Sequence, residues 1–337
     1  MSEKDMQSYF DKLNEANSIL KKSLKVESID ALAETLTNIS DGKVYVENGV
    51  PNEDTAKKLE GIYNELKDLG LTPLQLKQAI TVSIIKAQKD DKAEVNKLMT
   101  PDTIGLIASL IAYEVLNVQN KTNVNIVDPT VGTGNLLIEV IEQLNMTDKF
   151  KINAAALDND DALIALTKSF SEVMNLNIDA YHQDSIADWD ITDIDMAVAD
   201  LPVGYYPIDD NAKNFKTKSD EGHSYVHHLL IEQTMNNLND GGIGIFIVPS
   251  QIFQTDQAKK LSEWMVSSVY LQAVLDLPAG LFASKEAQKA VVVLQKHGAD
   301  AKQVGNVLMG TIPDTNNPKL FEGFKDQLQD WAKNFKG

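Results

Sequence analysis

The sequence predicts an α/β protein: a parallel sheet wound with helices, preceded by a helical lobe. Three observations lead there. From Val124 onward, short apolar runs alternate with helical stretches, the pattern of a parallel sheet. The first run, residues 124–128, enters the glycine turn Pro129-Thr130-Val131-Gly132-Thr133-Gly134-Asn135 and then an apolar helix from Leu136, the front half of a nucleotide-binding βαβ unit. Residues 1–98 carry helical spacing with little strand alternation.

In that first region, Phe10, Leu13, Leu20 and Leu24 recur near helical spacing, and Ile29, Leu32, Leu36 and Ile39 repeat the pattern. Residues 43–49 read as a small strand and turn. Thr72-Pro73 is a cap with proline at the first helical position, and Leu76, Ile80, Ile84 and Ile85 give one apolar face. The lobe either docks a substrate or partner or simply adds stability. The charged stretch from Lys89 to Glu94 marks a boundary, which divides the chain into residues 1–98 and 99–337.

The second region opens at Thr100-Pro101-Asp102, which caps a helix through about Val118 with Ile104, Ile107, Ile111 and Val115 on its buried stripe. Strands follow at residues 124–128, 154–158, 178–181, 194–200, 243–248, 271–275 and 290–294. Helices lie at 160–174, 224–238 and 259–267, with Gly241-Gly242 after the second and a short helix near 320–335.

Four acids, Asp128, Asp158, Asp184 and Asp200, fall at or just past the ends of four successive strands. In a parallel sheet those ends share one edge, where ligands bind. Gly132 and Gly134 let the backbone turn sharply and approach a ligand with no Cβ in the way. The third glycine of a dinucleotide fingerprint is replaced by Leu137. A carboxylate at Asp128 repels a pyrophosphate and suits a cationic or amino-bearing ligand.

Five elements in order resemble the class I S-adenosylmethionine-dependent methyltransferases, most closely the N6-adenine DNA methyltransferases of the kind found as methylation subunits of type I restriction systems. They are Thr100-Pro101, the Asp128 to Gly134 motif (D-P-x-x-G-x-G), Asp200-Leu201-Pro202-Val203, the stretch from Gly241 to Pro249, and the stretch from Leu277 to Phe282. The resemblance spans roughly Met99 to Lys296. It implies a Rossmann-like sheet of seven strands, the last antiparallel. It also implies S-adenosylmethionine as cofactor, bound by Thr100, Asp128, Thr130, Gly132, Gly134, Asn135, Asp158, Asp184 and Asp200. Asp158 is expected on the ribose hydroxyls and Asp184 on the adenine amine.

Asp200 is the expected chemical residue, with Pro202 in its loop. Methyl transfer to an exocyclic amine needs the nitrogen lone pair turned out of conjugation and aimed at the methyl group. A carboxylate and the next residue's carbonyl achieve this by holding the two N–H bonds. The family stacks the flipped base on an aromatic three residues after the acid. Here that position is Val203, and Leu201 replaces the first proline. Tyr205 or Tyr206 is the substitute platform, or both simply pack on the sheet edge.

Composition sets limits. The 337 residues allow one large domain or two ordinary ones. With no cysteine there is no disulfide framework and no thiol chemistry. No apolar run approaches the roughly eighteen residues of a transmembrane helix, and residues 1–20 lack the character of a secretory signal. A cytoplasmic protein without membrane contact is expected. The net charge of −18 sits poorly with a DNA partner. Lys213, Lys216 and Lys218 form a local basic cluster or a solvated loop. Only some forty residues follow Leu294, so DNA specificity would have to come from the lobe, an inserted loop or a partner protein. His223, His227 and His228 lack a completing carboxylate motif, and no metal site is expected. A methyltransferase for RNA, protein or a small molecule, and a cofactor-binding module that has lost its chemistry, remain the alternatives. Leu137 and Asp128 argue against a dehydrogenase.

Overall fold

The computed structural model describes residues 3–335. The chain forms two compact units: residues 1–99, 132–135 and 160–182 make the first, and residues 100–131, 136–159 and 183–337 the second.

The first unit is helical. It contains α1 (Glu3–Leu24), α2 (Ser28–Asp41), α3 (Glu53–Asp68) and α4 (Pro73–Asp91). Leu13, Leu20, Leu32, Leu36, Leu59, Leu66, Ile80 and Ile84 form its core. The expected cap at Thr72 is a full capping box: its side chain accepts from the Gln75 N–H, and the Gln75 side chain accepts from the Thr72 N–H. Asp91 closes the start of α2 by accepting from the Ser28 and Ile29 N–H groups at 2.8 and 2.9 Å. Helix α3 was not assigned from the sequence, although its buried Leu59, Ile62, Tyr63 and Leu66 fall at i, i+3, i+4 and i+7, with Lys57, Lys58 and Glu60 on the other positions. Residues 43–49 form no strand, only an isolated bridge between Glu47 and Val50.

Helix α5 (Asp102–Gln119) opens the second unit and buries Ile104, Ile107, Ile111 and Val115 as expected. Next come β1 (Asn123–Asp128), α6 (Asn135–Asn145), which begins in the first unit, and β2 (Lys151–Asp158). The chain then supplies α7 (Asp161–Val173) and β3 (Ile178–His182) to the first unit, where α7 packs on α2. It returns through β4 (Ile194–Asp200), the one-turn α8 (Asp209–Ala212), α9 (Val226–Asn237), β5 (Leu238–Pro249), α10 (Ala258–Ser268), β6 (Val269–Asp276), β7 (Lys289–Lys296), β8 (Leu308–Thr311) and α11 (Pro318–Ala332).

The strands of the second unit run in the order β2-β1-β4-β5-β7-β6-β8. All pairings are parallel except those of β7, which lies antiparallel to both β5 and β6. The described residues hold eight strands rather than seven. The missed strand, β8, is four residues long with three of them exposed, so it has no hydrophobic pattern to read. Strand β5 starts five residues earlier than its apolar run, because residues 239–242 form a bulge against β4. The glycines there lie inside the strand and do not serve to stop α9.

The central strands are buried on both faces. Val127, Ala197, Ala199, Phe246, Val248, Val292 and Leu294 belong to one apolar cluster that also takes in Leu229 and Leu230 of α9 and Trp264 of α10. Gly244 lies within β5, and a Cβ placed there would come within 2.3 Å of the Phe246 ring and 2.7 Å of the Met235 sulfur. Gly244→Ala is therefore expected to lower stability by roughly 2 kcal/mol, measured as a fall in denaturant midpoint with an unchanged slope.

Candidate active site

The parallel strands of the second unit carry Asp128, Asp158 and Asp200 as their last residues, on β1, β2 and β4. These ends lie on one edge of the sheet. Asp128 is 1% exposed, and its carboxylate accepts the Thr130 N–H at 3.0 Å. Burial pushes its pKa well above the ordinary 3.8, and the charges of Asp158 and Asp200 add to the rise. The Val131 N–H bonds to the Leu157 carbonyl at 3.0 Å, and the Gln183 N–H to the Asp158 carbonyl at 2.9 Å, which fixes both turns at the edge.

Asp184 joins this group through its neighbours. The Ser185 hydroxyl donates to the Pro129 carbonyl. The Asp184 carboxylate accepts the Ile186 N–H and the Tyr206 hydroxyl. Asn211 also donates to Tyr206 at 2.9 Å. Tyr206 is thus a buried support for Asp184 and not a stacking platform. Tyr205 differs: it is 58% exposed and stacks on Tyr225 at 4.9 Å and 14°. The chain after Asp200 bridges to the segment before α9, with Val226 N–H to Gly204 carbonyl at 3.0 Å.

Asp200 has two further partners. Thr100, expected on the cofactor, donates its hydroxyl to Asp200 Oδ2 at 2.9 Å. Lys289 Nζ meets Asp200 Oδ1 at 2.5 Å. Sequence reading missed Lys289, because no motif surrounds it. The signal was the reversed last strand: β7 runs antiparallel, so its first residue lies at the edge where the parallel strands end. Lys289 pairs with Pro249 in the register with β5, and its side chain reaches across β5 to the tip of β4.

Behind the loop lie His227 and His228, 2% and 0% exposed, with neither ring nitrogen of either in hydrogen-bond geometry with a protein group. Their rings meet edge to face at 4.8 Å. Burial, and then the Lys289 charge, push His227 down to about 4 against the pull of the Pro202 carbonyl, and burial with the charge of His227 pushes His228 to about 3. Both are neutral packing groups at pH 7.

The glycine turn, residues 132–135, belongs to the first unit. Gly132 has φ +54° and Gly134 φ +81°. Thr167 of α7 donates to the Gly132 carbonyl at 2.8 Å, and a Cβ at Gly134 would lie 3.0 Å from the Thr167 hydroxyl. A Cβ at Gly132 would meet nothing within 4 Å. Thr81 of α4 bonds the Asn135 side chain at 3.2 Å. Gly134 is required by packing as well as by φ; at Gly132 only the positive φ favours glycine.

The N-6 DNA Methylase family matches residues 84–329. The chain belongs to this family. Residues 7–88 also match the YtxK N-terminal helical domain. YtxK of Bacillus subtilis (strain 168), itself uncharacterised, is 31% identical over 96% of each chain. A Listeria monocytogenes protein described as a candidate class I S-adenosylmethionine-dependent methyltransferase superposes with a TM-score of 0.89 at 30% identity, covering 98% of this chain and all of that one. The methyltransferase subunit of a type I restriction-modification system from Streptococcus thermophilus shares the fold, with a TM-score of 0.63 at 14% identity over 97% and 74% of the two chains.

Membership makes the chain an S-adenosylmethionine-dependent methyltransferase, and the residues fit that cofactor. The cofactor carries an amino group and a sulfonium, and the edge offers Asp128 in a dry setting with two more carboxylates within electrostatic reach.

Two expectations follow. A carboxyl whose pKa is raised on folding stabilises the fold below its unfolded value, and that stability is lost as pH rises through the folded value. The cofactor-free protein should therefore lose stability on Asp128 account as pH climbs from the ordinary 3.8. Asp128→Asn keeps the oxygen that Thr130 uses. It should raise the cofactor-free Tm near neutral pH while abolishing the Tm increase that S-adenosylmethionine gives, as read by thermal scans. The histidines have the opposite sign. Their depressed pKa values stabilise the fold above 6.5, and this is lost as pH falls toward about 4 and about 3. The Tm should drop over that range, and His228→Leu should flatten part of the drop.

Proposed function

We propose that this chain transfers the methyl group of S-adenosylmethionine to the exocyclic amine of adenine in DNA. The observation that carries the reading is Asp200, an acid at the tip of β4 whose carboxylate is held by the Thr100 hydroxyl, with the exposed Tyr205 on the loop that follows. Asp128, Thr130, Gly132, Gly134, Asn135, Asp158 and Asp184 would hold the cofactor. Bound there, it supplies an electrophilic methyl group. Asp200 and the Leu201 carbonyl accept the two amine N–H bonds, which frees the nitrogen lone pair for attack. The Leu201 N–H is bonded to the Ile247 carbonyl at 3.0 Å, so that peptide is held by the sheet. Pro202 stiffens the loop, and Tyr205 takes the stacking role left vacant at Val203.

The division of labour we infer is a helical domain, residues 1–98, and a methyltransferase domain, residues 99–337. Two features support a partner protein that supplies DNA contact. The chain contains no arginine, so the forked guanidinium contacts to phosphate and guanine are missing from it. Near the Asp200 loop, Lys213 is paired with Asp210, and Lys260 with Asp220. The same features favour, as a second reading, an acceptor other than DNA. A cytoplasmic setting suits either substrate, and no helix among the described residues is long and apolar enough to cross a membrane.

The test is transfer of labelled methyl from S-adenosylmethionine to undermethylated duplex DNA, digested and analysed for N6-methyladenine. Asp200→Ala should leave cofactor binding within about twofold and lower turnover by 100-fold or more, the scale of losing a transition-state contact. Equal turnover by this variant would remove Asp200 from the chemistry. Label appearing in RNA, protein or a small molecule, with none in DNA, would establish the second reading.

A further inference from the structure

Lys289 brings a charged donor to Asp200 that the transfer step does not require. Its ammonium carries three N–H bonds and gives one to Asp200 Oδ1. Asp200 uses Oδ2 for Thr100 and Oδ1 for Lys289, and each carboxylate oxygen can accept a second hydrogen bond. The two side chains remain 25% and 16% exposed. The tip of β4 therefore presents a hydrogen-bond acceptor and a cationic donor side by side. Tyr205, on the loop that leaves Asp200, is exposed and stacks on Tyr225 at the start of α9. Acid and lysine thus share the sheet edge from which the tyrosine loop departs.

We propose, resting on the N-methyltransferase reading, that Lys289 is a specificity residue: it pairs with a ring nitrogen beside the amine that Asp200 accepts, on a planar base stacked against Tyr205. An amine conjugated to a ring nitrogen shows a donor next to an acceptor, the complement of Asp200 beside Lys289. Adenine shows this edge twice, at N1 and at N7. A protein lysine offers no acceptor and carries a like charge, so Lys289 rejects it. A glutamine amide shows the same edge but has no ring for the tyrosines. A donor on the ring nitrogen draws electron density from the amine, so Lys289 acts on binding and selection. Its loss raises KM with little fall in kcat, unlike loss of Asp200.

The experiment uses the full chain with its cofactor site saturated by S-adenosylhomocysteine. Adenosine, purine riboside, 1-deazaadenosine and 7-deazaadenosine are titrated by NMR against the unaltered chain, Lys289→Met and Lys289→Arg. One of the two deaza analogues should bind the unaltered chain roughly tenfold more weakly than adenosine, the scale of one charge-assisted hydrogen bond. That gap should vanish in Lys289→Met and return in Lys289→Arg. Lys289→Leu, which likewise has no donor, replaces the methionine variant if the latter has a lowered Tm, with the same loss expected. The proposal is overturned if both deaza analogues bind like adenosine, if Lys289→Met keeps the gap, or if adenosine does not bind. Binding of a glutamine peptide in place of adenosine also overturns it. Absence of methyl transfer to any acceptor, with the binding pattern intact, would instead sink the methyltransferase reading alone.

Discussion

Three carboxylates are forced onto one edge of a sheet, and the dry setting of Asp128 makes their repulsion costly. That constraint organises the site. Parallel strands bring their last residues to a common line, so acids spaced far apart in sequence become electrostatic neighbours. Water, which would screen them, is excluded around Asp128. Two kinds of positive charge answer this. One is built in: Lys289 reaches over β5 to Asp200. The other, in the site proposed above, is the cationic cofactor. Binding strength and cofactor-free stability therefore oppose each other at Asp128, since the burial that penalises its charge also strengthens its attraction for a cation.

The reversal of β7 makes the built-in answer possible. In a sheet of parallel strands only, residues that start strands lie at the far edge from the ligands. Inserting an antiparallel strand between β5 and β6 brings one strand start to the ligand edge. That single start is a lysine whose stem is long enough to span a neighbouring strand. Strand polarity thus supplies a cation at the edge where three parallel strands end in acids.

The parts of this protein that could be read in the sequence are those fixed by local rules. Apolar runs bounded by turns gave the strands β1, β2, β4, β6 and β7 within a few residues, and Thr72-Pro73 gave the start of α4. The acids at strand ends and the glycine turn were visible because motif and geometry coincide there. Strand β8 was missed because three of its four residues are exposed, whereas helix α3 carries a legible stripe at Leu59, Ile62, Tyr63 and Leu66 that was passed over. Lys289 was missed for a different reason. It is brought to Asp200 by strand pairing over a long sequence distance and carries no local signal. Tyr205 and Tyr206 were indistinguishable as neighbours in sequence; a two-faced backbone sends one to solvent and the other to Asp184.

The glycine turn is braced from outside the sheet. Thr167 grips its first glycine carbonyl, and Thr81 grips Asn135, so two hydroxyls separated by 86 positions hold a loop that neither flanks. A fragment cut at residue 98 would keep every catalytic acid and the whole glycine motif, yet would lose the Thr81 brace. Fragments of this chain should therefore be designed around which residues hold the loop, because the natural seam in the sequence is not a seam in the support of the turn.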